Sequence, residues 1–176
     1  AELFDKDVAC RQVAIYGTKE AVPHLAAIVA GDTNIFGVAC WGLERIPDES
    51  AGAALRDLLG KVEGKRRLKV IQTIANRGDA KAVGALAKML RNEDKQLVAT
   101  TAEALGEIGG TEAADALTQA LAAAPAGMKK AIGNGCLIAA DTLKAQGHGA
   151  KAKEVLQKVA GADVPAYMRE AAQQNA

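Results

Sequence analysis

The sequence predicts an all-α chain, a right-handed superhelix of about five helical hairpins closed by a C-terminal helix. Three observations predict it. The first is repetition: Ala21-Val22-Pro23-His24-Leu25 returns as Ala51-Gly52-Ala53-Ala54-Leu55, Ala82-Val83-Gly84-Ala85-Leu86 and Ala113-Ala114-Asp115-Ala116-Leu117, at spacings of 30, 31 and 31 residues. A looser fifth copy puts Val155 in the Leu slot. A fixed period of about 20–50 residues marks stacked supersecondary units, none of which can bury its apolar face alone. The second observation is a stop signal four residues before each repeated segment, at Gly17, Pro47, Gly78, Gly109 and Gly147. The third is an apolar stripe at i, i+4 on each second helix, made by Leu25/Val29, Leu55/Leu59, Leu86/Leu90, Leu117/Leu121 and Val155/Val159. Val13, Leu43, Ile74, Leu105 and Leu143 hold one shared position on the first helices.

The elements follow in order. The first hairpin is expected over 6–16 and 19–30, the second over 35–46 and 49–60, and the third over 65–77 and 80–91. In each the first helix stops where Gly can take a left-handed conformation or Pro cannot continue. Thr18, Asp48 or Asp79 stands directly after that stop, as an N-cap whose side-chain oxygen can satisfy an unpaired N–H. The fourth hairpin (95–108, 111–123) and the fifth (128–146, 149–160) have Gly110 and His148 there instead, so water or a later residue is expected to serve. Leu117 to Val155 spans 38 residues, which lengthens the fifth unit's first helix by about two turns. Gly133 and Gly135 inside it call for a kink or a close helix contact, and the unit is expected to cap the stack, with a ligand notch at the kink as the sharper alternative. A terminal helix over 165–174 starts at Pro165, a favourable first-turn residue. Residues 1–176 read as one solenoid domain with repeats near 6–30, 35–60, 65–91, 95–123 and 128–160.

The phrase Gly78-Asp79-Ala80-Lys81-Ala82-Val83-Gly84-Ala85-Leu86 and the segment Thr101-Ala102-Glu103-Ala104-Leu105-Gly106-Glu107-Ile108-Gly109 resemble HEAT-like repeats, an armadillo-like helical architecture. The likeness is to the short bacterial variety also seen in phycobilin lyases, over residues 7–123 and more loosely 126–174. Leu143 to Val159, with Gly147, Ala152 and Leu156, is similar to a tetratricopeptide-like helix pair. Two positions depart from the pattern: Pro47 replaces the turn Gly, and Arg77 replaces the apolar residue seen at Ile46 and Ile108. The resemblance implies protein–protein interaction. Similar segments occur in larger secreted or envelope proteins of bacteria, which implies a periplasmic or secreted setting; a cytoplasmic one is the alternative.

Composition agrees with such a surface. Hydrophobic residues make up 49% of the chain but aromatics only 3%, so small helices pack closely and no pocket is walled by rings. A net charge of +1 gives no global pull toward nucleic acid or an anionic membrane. No apolar run approaches the roughly 20 residues that span a bilayer, so no membrane insertion is expected. The chain starts at Ala1, as a processed product or a trimmed one would. Cys10 and Cys40 share a repeat position that Ile71, Ala102 and Ala140 fill later, so small buried hydrophobes are expected there, with pairing of the two thiols left open.

No catalytic, cofactor or metal set stands out. His24 and His148 form no H-x-x-x-H or H-E-x-x-H pair, the His-Glu dyads of HEAT-like hydroxylases are absent, and there is no P-loop or G-x-S-x-G. Charge is uneven: −4 over 1–60, +7 over 61–91, −5 over 92–127 and +3 over 128–176. The basic block Lys61, Lys65, Arg66, Arg67 and Lys69 lies between acidic neighbours with no interleaved aromatics, unlike a phosphate-tracking groove. It reads as a solvated face or a salt-bridging contact, where reversing Arg66 and Arg67 should leave the fold intact. Trp41 is expected to plug the interface of the first two repeats.

The second helices should line the concave side, with Pro23/Ala53/Gly84/Asp115 and Ala27/Asp57/Lys88/Gln119 looking outward. The expected function is a non-catalytic scaffold that binds a protein, a peptide or adjacent domains of a larger polypeptide. Its candidate contacts are Lys65, Arg66, Arg67, Lys88, Asp57, Gln119 and His24. A DNA-binding or glycosylase-like solenoid and a bilin-lyase-like chaperone are the alternatives.

Overall fold

The computed structural model describes residues 8–9, 11–13, 15–31 and 34–176, and every regular element among them is helical. The chain forms two compact units, Ala1–Arg77 and Gly78–Ala176, whose boundary falls at the turn of the third hairpin.

In the first unit residues 8–9, 11–13 and 15–16 are helical, and the rest of the helix expected over 6–16 lies outside the described residues. A 3-10 turn at Lys19–Ala21 leads into α1 (Val22–Ala30), followed by α2 (Phe36–Arg45), α3 (Glu49–Leu58) and α4 (Gly64–Asn76). Pro23, in the first turn of α1, marks where the 3-10 turn gives way to α-helix. α1 packs on α2 and α3, and both of those pack on α4.

The second unit opens with a 3-10 turn at Ala80–Ala82. It continues through α5 (Val83–Met89), α6 (Lys95–Ile108), α7 (Gly110–Ala123), α8 (Ala126–Ala145), α9 (Gly149–Ala160) and α10 (Ala166–Asn175). α5 is shorter than expected because its end tightens into i→i+3 turns, with the N–H groups of Leu90 and Asn92 donating to Ala87 and Met89. First helices stack on first helices (α6 on α8) and second on second (α5 on α7, α7 on α9), while α10 closes against α9 and α8.

This stacking buries the repeated stripe. Every residue of the five i, i+4 pairs is at most 5% exposed, and Leu43, Ile74, Leu105 and Leu143 are fully buried. Val13 departs from the series: it is only half-buried, on a segment that also exposes Val8, Ile15 and Tyr16. The architecture is all-α, of the solenoid type.

Most turn chemistry follows the sequence. Asp48 accepts from Ser50 N–H at 2.9 Å and Asp79 from Lys81 N–H at 3.1 Å. Asp94, unremarked in the pattern, caps α6 through Gln96 and Leu97 N–H. Thr18 is different: it makes no capping bond, and its hydroxyl donates to the Glu20 carboxylate instead. Left-handed backbone occurs at Gly78, Gly109 and Gly147 but not at Gly17. At Gly109 (φ +70) a Cβ would also lie 2.5 Å from the Thr142 methyl, so only Gly fits.

The uncapped fourth turn is served by a later residue, Gln146 of the next repeat. Gln146 Oε1 accepts from Gly110 N–H at 3.0 Å, while its amide nitrogen faces Ile108 O. Arg77 occupies the equivalent pre-glycine position in the third repeat. Its guanidinium donates to the carbonyls of Leu43 (2.7 Å), Glu44 (2.8 Å), Ile46 (2.6 Å) and Asp48 (3.3 Å). Arg77 departs from the apolar pattern because it neutralises unpaired carbonyls at the end of α2.

The glycines of α8 make a close contact. A Cβ on Gly135 would stand 2.5 Å from Ala102 O, and one on Gly106 would stand 2.7 Å from Gly135 O, so α6 and α8 touch backbone to backbone. Gly133 faces Met168 and Val164, which fill the place where a ligand notch was the alternative.

Candidate partner-binding groove

The outward register of the second helices holds: Pro23, Ala53, Gly84, Ala27, Asp57, Lys88 and Gln119 are exposed, and Asp115 is half-buried. Within the second unit these positions flank two clefts. One, of about 380 Å³, lies between α5 and α7 and is lined by Ala87, Leu90, Arg91, Gln119, Ala120 and Ala123 with their neighbours. The other, of about 680 Å³, is bounded by Thr118, Leu121 and Ala122 of α7, Lys129 of α8, Gln157 and Lys158 of α9, and the Gly161–Asp163 bend. Gln119 lines both clefts, so they meet across α7. Small side chains make the floor shallow and let a ligand's backbone approach closely.

Charged side chains stand around this floor. Lys151 bridges Asp115 (2.6 Å) and Glu154 (2.8 Å), and Lys158 reaches the other Glu154 oxygen at 2.7 Å. These hydrogen bonds from Lys151 and Lys158 hold the Glu154 carboxyl down at about 2, and the bond to Asp115 raises Lys151. Lys129 lies 3.6 Å from Asp163 across the mouth of the larger cleft. Among the described residues no carboxylate forms an ion pair with Lys88 or Arg91.

The other sequence candidates lie in the first unit. His24 and Lys65 are exposed, and Asp57 pairs with Lys61 at 2.5 Å. Arg66 and Arg67 are largely occupied by backbone. Arg66 donates to the carbonyls of Ala30 and Gly31 at the end of α1, and Arg67 Nε to Val62 O at 2.7 Å, with Glu63 at 3.9 Å. Beside the ion pairs expected of this block, Arg66 and Arg67 thus also hold backbone carbonyls, which the expectation of a solvated or salt-bridging face did not include. Trp41 is half-buried, with the Arg45 guanidinium 5.5 Å from its ring centroid.

Sequence reasoning missed Arg91, Lys129, Gln157 and Lys158. The repeat register carries a signal for Gln157, which continues the Ala27/Asp57/Lys88/Gln119 series. The others come from helix ends, where periodicity says little.

Cys40 and Cys136 are buried free thiols, pushed up by burial to about 11 and about 12, which makes them inert at neutral pH. Cys10 lies outside the described residues. Among those residues no three His, Cys, Asp or Glu side chains cluster tightly enough to hold a metal, and no helix is long and apolar enough to cross a membrane.

Comparison with known proteins agrees with this geometry. Residues 63–133 match the HEAT repeats family. That segment carries HEAT-like repeats. The crystal structure of an engineered protein, a structural-genomics target, superposes with a TM-score of 0.52 at 20% identity, over 98% of this chain and 89% of that one. At that identity the likeness concerns the fold alone. No curated protein sequence matches significantly.

Proposed function

We propose that the chain is a non-catalytic scaffold whose second-helix face, over α5, α7 and α9, receives a segment of a partner protein. One observation carries the reading: two adjoining clefts share Gln119 and run over a floor of Ala side chains with polar groups at the rim. Such a floor suits a polypeptide, which brings its own backbone hydrogen-bonding groups, more than a small molecule, which needs enclosing walls. HEAT-like repeats commonly serve protein interaction, in keeping with this.

A random-peptide library panned against the folded chain tests the reading, with Ala122→Trp and Ala123→Trp as counter-targets. Both alanines are exposed and line the larger and the smaller cleft respectively, so the indoles fill the groove without entering the core. Selected peptides are expected to lose at least tenfold in affinity for these variants. Peptides that bind parent and variants equally would place the interaction elsewhere and overturn the proposal.

A further inference from the structure

We infer that the segment received by this groove is acidic. The inference rests on the scaffold reading above and adds the chemistry of the occupant.

Residues 92–127, which include all of α7, carry a net −5, so nothing in that stretch of sequence advertises an anion site. The fold brings cations to α7 from both sides. Arg91 comes from just past the end of α5, Lys129 from the start of α8 and Lys158 from α9, and Lys88 stands exposed on α5 outside the lining. Asp163 is the one carboxylate among the residues lining the two clefts. Behind Lys158, Glu154 is shared with Lys151, and Lys151 also satisfies Asp115, so these nearest acids already face cations of the protein. Lys88 and Arg91 have no such carboxylate among the described residues. The rim can therefore take up negative charge, whereas a basic segment would meet three lining cations and one carboxylate.

The charges alone would also fit nucleic acid, but the rest of the groove favours polypeptide. Tyr and Trp are absent from the lining of both clefts, so bases have nothing to stack on. Gln119 and Gln157 instead offer amides that donate and accept, matching the alternating groups of an extended backbone. An acidic peptide with small apolar residues between its carboxylates satisfies both floor and rim.

Fluorescence anisotropy with three labelled probes tests this: a peptide of alternating Glu and Ala, one of alternating Lys and Ala, and a thymidine oligonucleotide of equal length. Only the Glu–Ala peptide is expected to bind, more weakly as salt rises. Arg91→Glu with Lys158→Glu should weaken it at least tenfold, and Arg91→Gln with Lys158→Gln by a smaller factor, with helical circular dichroism unchanged in both. Preference for the basic peptide or the oligonucleotide, or indifference to both charge variants, overturns the inference. The library experiment separates the two failures. Groove-dependent peptides without acidic enrichment sink this inference and spare the scaffold, whereas peptides indifferent to the tryptophan variants sink the scaffold.

Discussion

The two units stack similar hairpins but secure them differently. In the first unit long cationic side chains reach back to backbone carbonyls: Arg66 to the end of α1, Arg67 to the loop before its own helix, and Arg77 to four carbonyls around the end of α2. In the second unit helices approach until backbones touch, at Gly106, Gly135 and Ala102, and a neutral amide, Gln146, does at the fourth turn what Arg77 does at the second. Lys129 and Lys158 there stand at a groove. The contrast teaches that a run of basic residues is a poor guide to a binding surface. In the segment with the highest net charge Arg66, Arg67 and Arg77 serve the fold, while Arg91 at its end joins a proposed site whose other lining cations come from α8 and α9.

The comparison can be pressed first at the shared stripe. Leu86 is fully buried and has no polar partner to offer a charge, so Leu86→Asp should cost more than about 4 kcal/mol and abolish cooperative folding of the second unit. Val8, 41% exposed, should tolerate the same replacement within about 0.5 kcal/mol. Chemical denaturation followed by circular dichroism distinguishes them, and equal costs would mean the stripe does not face the core.

Next comes the difference in glycine packing. Gly135→Ala meets the Ala102 carbonyl, a backbone atom that cannot step aside, and should cost about 2–3 kcal/mol. Gly42→Ala meets only the tip of Leu25, at 2.9 Å, which can rotate, and should cost less than about 1 kcal/mol. Reversal of that order would show that the second unit is not held by close backbone approach.

The smallest effect is electrostatic. Glu154 is ionised down to about 2 in the folded chain and to about 4.5 ordinarily. Its folded value is depressed, so its contribution is present above the ordinary value and is lost as pH falls from about 4.5 toward 2. Glu154→Gln should therefore lower stability slightly at neutral pH and flatten the acid limb of the stability–pH curve in that window, with little change below about pH 2. An unaltered acid limb would detach Glu154 from Lys151 and Lys158.

Architecture was legible in the sequence because the period of Ala and Leu reports burial directly, and each turn carries its own Gly, Pro or Asp. Side-chain reach across repeats was not. Arg77 and Gln146 act on carbonyls and amides 29 to 38 positions away, and one-dimensional spacing marks them only as breaks in a pattern. For the site, the outward register of Lys88 and Gln119 was readable, as was its continuation at Gln157. Lys129 and Lys158 become neighbours of Gln119 only when α8 and α9 fold beside α7.

The division of labour among the cations is tested most directly by replacing Arg66 and Arg77 with Met and following both stability and binding of the Glu–Ala peptide. Trp41, the only tryptophan and a resident of the first unit, reports the melting. The account predicts a loss of about 2–4 kcal/mol in the first unit, from carbonyls left without their charged donors, with peptide affinity unchanged. An unaltered melting curve together with lost peptide binding would contradict it.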